Sequence, residues 1–114
     1  MLKKLYVPGS LRPDGDGFSF KLRNTLATAT LVSPPIVRLD GNEVPLSKVT
    51  ALVGSATLTA ADVSVAKPLA LTKGAEVTMR VAGTPLSPGA HNVAIRAESK
   101  EWETITFDVD DKVS

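Results

Sequence analysis

Few residues in this chain are equipped for chemistry, and one of them bounds the rest. His91 is the only histidine among 114 residues, so any Ser–His–Asp arrangement has to run through it. A metal site built on two imidazoles is excluded within one chain. Cysteine is absent, which removes disulfides, thiolate ligands and cysteine nucleophiles together. His91 opens an alternating run shortly after Pro88 and Gly89, on the side of Val93. An imidazole there is expected to pack at a sheet rim and bond nearby backbone. Contact with a partner or ligand is the alternative.

The carboxylates give a weaker signal. Asp14, Gly15, Asp16 and Gly17 form a fragment of what calcium loops use, but such loops need further oxygen ligands and a bidentate acid at fixed spacing. A strand-like run beginning at Phe18 follows instead, so a hairpin-type turn is expected. Asp108, Asp110 and Asp111 could converge on the same place, although a solvated C-terminal run is the simpler reading. Trp102 falls among Thr104, Thr106 and Asp108, opposite Ile105, Phe107 and Val109. A tryptophan on a polar face suits an interface, while a bulge near Glu101 would return it to the core. Tyr6, which shares its parity with Lys4, is a candidate of the same kind. His91, Trp102 and Tyr6 are thus the candidate partner or ligand contacts. No catalytic, cofactor-binding or metal-binding residue is nominated, because no phosphate loop, dinucleotide fingerprint or RNA-binding strand motif is present.

The elements that must position these side chains read as strands. Val77, Met79 and Val81 alternate with Glu76, Thr78 and Arg80, and Val93, Ile95 and Ala97 alternate with Asn92, Ala94 and Arg96. Period-two alternation gives each run one face made for burial. Pro85, Pro88 and Gly89 break the chain between them. Before this pair come a strand over Leu2–Val7, a loop over Pro8–Gly17, and a strand with Phe18, Phe20 and Leu22 facing in. The pattern loses phase from Thr25 to Thr30, which suggests a bulge or a change of sheet. Asp40, Gly41 and Asn42 make a hairpin signal. Val49, Ala51 and Val53 alternate before Gly54 and Ser55 and the pattern resumes at Ala56–Leu58, and one helical turn is expected at Thr59–Asp62 with Thr59 as N-cap. Trp102–Val109 is the last strand, with a frayed tail from Asp110. The expectation is an all-β chain: a single immunoglobulin-like antiparallel β-sandwich domain over residues 1–114, with about eight or nine short strands.

Bulk composition excludes more than it assigns. Thirteen basic residues against twelve acidic ones leave a net charge of +1, with no basic field for nucleic acid. Pro8 and Gly9 interrupt the opening before any signal-peptide core forms. No apolar stretch reaches the roughly 20 residues of a membrane span. The expected setting is cytoplasmic.

Three stretches together resemble a known family. Gly17–Arg23, Leu39–Pro45 and Leu86–Val93, in that order and spacing, resemble the small β-subunit of C-glycoside deglycosidases. The resemblance implies a sandwich without a metal of its own that docks on a larger, metal-dependent, sugar-isomerase-like barrel subunit. That family carries an Arg- and Tyr-rich segment after the first strong strand, whereas Arg23–Val32 holds no aromatic residue here. The opening Met1–Val7 is also similar to short proteins named for hydroxymethylglutaryl-CoA reductase. A complete reductase of that kind needs nicotinamide and CoA sites and a Lys/Asp/Glu/His set, for which no motif is present.

The function expected from these readings is an accessory or interaction module without a catalytic site or cofactor. It would work by self-association or on a larger protein subunit, with no nucleic-acid or membrane partner. A small-ligand or carbohydrate-binding sandwich is the second reading, and a minor enzyme acting through His91 is the third. For the Asp14–Gly17 segment, melting curves recorded with and without calcium should superimpose.

Overall fold

The computed structural model describes residues 5–24 and 28–113. It is all-β, built from two antiparallel sheets that face each other as a sandwich. Among the described residues, eleven strands follow in chain order. β1 (Arg12–Asp14) and β2 (Gly17–Arg23) form a hairpin; β3 (Ala29–Leu31), β4 (Ile36–Leu39) and β5 (Asn42–Glu43) come next. β6 (Val49–Val53) and β7 (Ala56–Thr59) form another hairpin, and β8 (Leu69–Leu71) precedes β9 (Glu76–Val81). β10 (Gly89–Ser99) and β11 (Glu103–Val113) complete the chain. The first sheet has the order β1-β2-β9-β6-β7. The second runs β5-β4-β10-β3-β8, with β11 on the other side of β10.

The two alternating runs that organise the sequence are the central strands, one in each sheet. β9 lies between β2 and β6, and β10 lies between β11 on one side and β4 and β3 on the other. The segment from Ala82 to Pro88 therefore crosses between sheets and does not close a hairpin. Inward residues of both layers form one core, with Phe18, Phe20, Val77 and Met79 from the first sheet and Val37, Val93, Ile95 and Phe107 from the second. Phe20 stacks at 6.0 Å from Tyr6 and 6.3 Å from Phe18. This aromatic trio and a wall of Val, Leu, Ile and Ala supply the apolar burial that drives folding.

Several local expectations hold. The chain changes sheet between β2 and β3. At the β4–β5 turn, Asp40 has φ 52° and Gly41 φ 84°, the positive pair that a two-residue type I′ hairpin requires. A 3₁₀ turn forms at Ala60–Asp62, although Thr59 makes no side-chain cap bond.

Others are corrected. There are more strands than the sequence suggested, because β1 lies in the stretch read as a loop and β3 falls where the alternation loses phase. The C-terminal stretch is not frayed as far as Val113: β11 pairs with β10 from Glu103 through Val113, and Val113 is buried. Gly89 extends β10 backwards and gives Val113 its partner. Of the first expected strand, Leu2–Lys4 lie outside the described residues, and Tyr6 makes a single bridge to Leu22.

Gly17 shows how tightly the first sheet closes on itself. A Cβ placed there would stand 1.7 Å from the Val81 carbonyl oxygen, a backbone atom that cannot swing aside. Gly17→Ala must push β2 away from β9 and disturb the Phe18–Val81 register. Chemical denaturation should register a loss of several kcal/mol, above the ~1 kcal/mol typical of point substitutions.

Candidate functional site

The imidazole of His91 sits where three segments meet at one end of the sandwich. It begins β10's inward-facing series, and its side chain retains 10% of its accessible surface. Its Nδ1 lies 2.6 Å from Asp40 Oδ2 in the β4–β5 turn. Its Nε2 lies 2.7 Å from the Ser87 carbonyl oxygen and 3.4 Å from Ser87 Oγ. Ser87, His91 and Asp40 therefore stand in the order of a catalytic triad.

The protons decide what that order can do. A carbonyl oxygen only accepts, so the 2.7 Å contact requires a proton on Nε2. The Asp40 carboxylate favours a second proton on Nδ1. With its Nε2 proton turned to that carbonyl, the ring presents no lone pair with which to draw a proton from the Ser87 hydroxyl, which general-base catalysis demands. Asp40 raises the His91 pKa most, with the Ser87 carbonyl adding to it. Asp40 itself is held below the usual carboxylate range, first by the Asn92 backbone amide at 2.8 Å and then by His91. The cluster fastens the Ala82–Pro88 crossover to the β4–β5 hairpin. Sequence reasoning placed the ring at the rim with backbone contacts; it missed Asp40, whose position opposite His91 follows only from β4–β10 pairing.

Asn92 extends this polar surface. Its Nδ2 donates to Asp108 and Asp110, each at 3.0 Å, so these carboxylates share an amide donor on the outer face of β10 and β11. Asp111 points the other way. Its Oδ2 accepts from the Tyr6 hydroxyl at 2.6 Å and from the Gly9 and Leu11 amides at 3.0 and 3.3 Å. Burial pulls the Asp111 pKa upward, but these donors and the Lys112 amide outweigh it, and the group is held low. Tyr6, parity notwithstanding, is a buried core residue, and burial and Asp111 both push its hydroxyl pKa up.

Trp102 belongs to neither sheet face. It lies in the turn between β10 and β11, 54% exposed, with its indole Nε1–H donating to the Thr28 carbonyl at 3.1 Å. The preceding Glu101 accepts from the Thr30 amide at 2.7 Å and from the Thr30 hydroxyl at 2.9 Å. The hairpin tip is thereby tied to the start of β3. His91, Trp102 and Tyr6 are thus not brought together into one site.

A cleft of about 330 Å³ opens elsewhere, on the outer side of the first sheet, where Asp14, Asp16, Lys48, Thr50, Thr57 and Arg80 line it. Arg80 grips Asp14 through Nε and Nη2 at 3.0 and 3.3 Å, and Asp16 accepts from the Gly83 amide at 3.3 Å. The Asp-Gly-Asp-Gly turn thus uses its carboxylates to hold neighbouring strands. Among the described residues, no group of three or more His, Asp or Glu side chains is arranged to hold a metal ion. Nor is any helix among them long and apolar enough to cross a membrane.

Over residues 1–114 the sequence matches the family described as hydroxymethylglutaryl-CoA reductase, N-terminal domain. The chain belongs to that family. No curated protein matches it. Of the two likenesses read from the sequence, the reductase name therefore holds at the level of an N-terminal domain family, and nothing found supports the one to the C-glycoside deglycosidase β-subunit.

The His91–Asp40 pair makes stability depend on pH. His91 titrates near 6.5 when unfolded and higher when folded, so its contribution is complete below about pH 6.5 and disappears as pH rises through the folded value. Asp40 and Asp111 act in the opposite sense: their contributions are present above about pH 4 and disappear as pH falls through their lowered folded values. The melting temperature of this family member should peak in mildly acidic solution. His91→Gln should flatten the alkaline limb while an acidic limb persists through Asp111 and through the Asn92 amide on Asp40, a comparison that a pH series of thermal melts makes directly.

Proposed function

We propose that this chain is a non-catalytic interaction domain of the hydroxymethylglutaryl-CoA reductase N-terminal family, serving by contact and not by turnover. One observation carries the reading: the single imidazole in the sequence is bonded at both nitrogens to acceptors, so the arrangement nearest to catalytic order has no base. The carboxylates follow the same pattern. Asp14, Asp40, Asp108, Asp110 and Asp111 each accept hydrogen bonds that join one segment to another. Nothing in this arrangement supports a nicotinamide or CoA site, so the family name is read as kinship with a domain and not as the reaction.

The cleft beside Lys48 and Arg80 favours the second reading, a small polar ligand held by two hydroxyls and a cation. A carbohydrate site usually adds an aromatic stacking surface, and Phe18 at the base of this cleft is fully buried. The aromatic residue that is widely exposed, Trp102, stands at the hairpin tip and does not line the cleft. The interaction reading is therefore preferred.

The purified chain, given hydroxymethylglutaryl-CoA and either reduced nicotinamide cofactor, should oxidise no cofactor above the buffer rate. Sustained turnover that His91→Ala abolishes would overturn the non-catalytic assignment.

A further inference from the structure

The backbone of β10 determines which groups of β11 are left over. The Asn92 carbonyl accepts from the Asp40 amide, the Asn92 amide donates to Asp40 Oδ1, and the Glu98 carbonyl accepts from the Val32 amide. Even-numbered residues of β10 therefore spend their backbone groups toward β4 and β3. The alternation of an antiparallel ladder then assigns the odd-numbered residues to β11. Their partners are Val109 for Val93, Phe107 for Ile95 and Ile105 for Ala97. Odd-numbered residues of β11 are thus consumed within the chain. Thr104, Thr106, Asp108 and Asp110 turn their N–H and C=O groups outward along a free edge. Among the described residues, no backbone bond from any other element reaches Thr104–Asp110.

This edge differs from the other four. β1 has three residues including Pro13, β5 has two, β8 three and β7 four. Short or proline-bearing edges are how sheets avoid pairing with other chains. β11 has eleven residues, and its Thr104–Phe107 stretch is uncharged, β-branched and aromatic, the composition that pairs best across strands.

We propose that β11 pairs antiparallel with β11 of a second copy, with Thr106 facing Thr106 across a two-fold axis. This deepens the interaction-domain reading and rests on it. The register follows from which residues face the edge, from like-charge repulsion on one side and from ladder length on the other, since one step toward the N-terminus leaves only Glu103–Phe107 paired. Only even-numbered residues can form the hydrogen-bonded pairs, so Thr106 meets itself and Thr104 meets Asp108 of the other copy, each pair exchanging two backbone bonds. Ile105 then lies opposite the other Phe107, and Glu103 opposite the other Val109. No like charges oppose each other. Moving one step toward the C-terminus sets Glu103 against Asp111, and one step further sets Asp108 against itself; like charges directly opposite destabilise a pair. The two six-stranded sheets would become one continuous sheet, a self-complementary two-fold interface.

Light scattering with size exclusion should give twice the 12.0 kDa chain mass at high concentration, and dilution should halve it. Hydrogen exchange should slow at Thr104, Thr106 and Asp108 only in the concentrated sample. Thr106→Glu sets two carboxylates across the axis while standing beside Arg96 of its own chain, so it should remain folded by circular dichroism and elute as a monomer. Mixing it with Thr106→Lys should restore the doubled mass. A wild-type chain that stays monomeric, or a dimer whose Thr104–Asp108 amides exchange as fast as in the monomer, overturns the pairing. Neither result touches the non-catalytic assignment, which only turnover can overturn.

Discussion

A strand has two edges, and the way β10 divides its backbone between them shapes most of this molecule. One edge is filled along its whole length by β11, and the other is shared by β4 and β3, which together cover less of it. That division fixes which side chains of four strands face the core, because a one-residue slip in any of them would turn Val93, Ile95 or Phe107 out to water. It also determines what remains at the rim. Where β4 ends, the Asp40 turn meets Asn92 and His91; where β3 begins, the β10–β11 tip reaches across to Thr28 and Thr30.

Polar chemistry in this chain is spent mainly on fastening. The His91 imidazole, the Asp111 carboxylate and the Glu101 carboxylate each bond to segments far apart in sequence. A partly buried charge is costly unless several bonds compensate it, and His91 and Asp111 are compensated in this way; Glu101 is exposed. No buried side-chain nitrogen or oxygen among the described residues lacks a partner. The groups whose pKa values are shifted are all engaged in such bonds.

The sequence made some of this legible, and the limits are instructive. Alternation in Phe18–Leu22, Glu76–Val81 and Val93–Ala97 marked the core strands because burial on one face imposes a period of two. The Asp40-Gly41 turn was legible because few residues accept two positive φ values in succession. β1 and β3 were not, since three residues cannot display a period. Asp111 was read as part of a solvated tail because its partners, Tyr6, Gly9 and Leu11, sit at the opposite end of the chain. The Asp40–His91 contact was invisible for a related reason: it depends on the register of two strands, and composition carries no register. Trp102 fell between two readings because it occupies a turn, where face parity has no meaning.

The bond from Tyr6 to Asp111 joins residues 105 positions apart, and it has a bearing on how the protein is made. During synthesis the first aromatic ring emerges long before the carboxylate that satisfies its hydroxyl exists. Phe20 can cover the ring at once, but the corner of the sandwich must wait, wet and open, until the eleventh strand has left the ribosome. Contacts of such span are closed late and slowly, so this side of the core stays unsealed until β11, equal in length to β10 beside it, has been made.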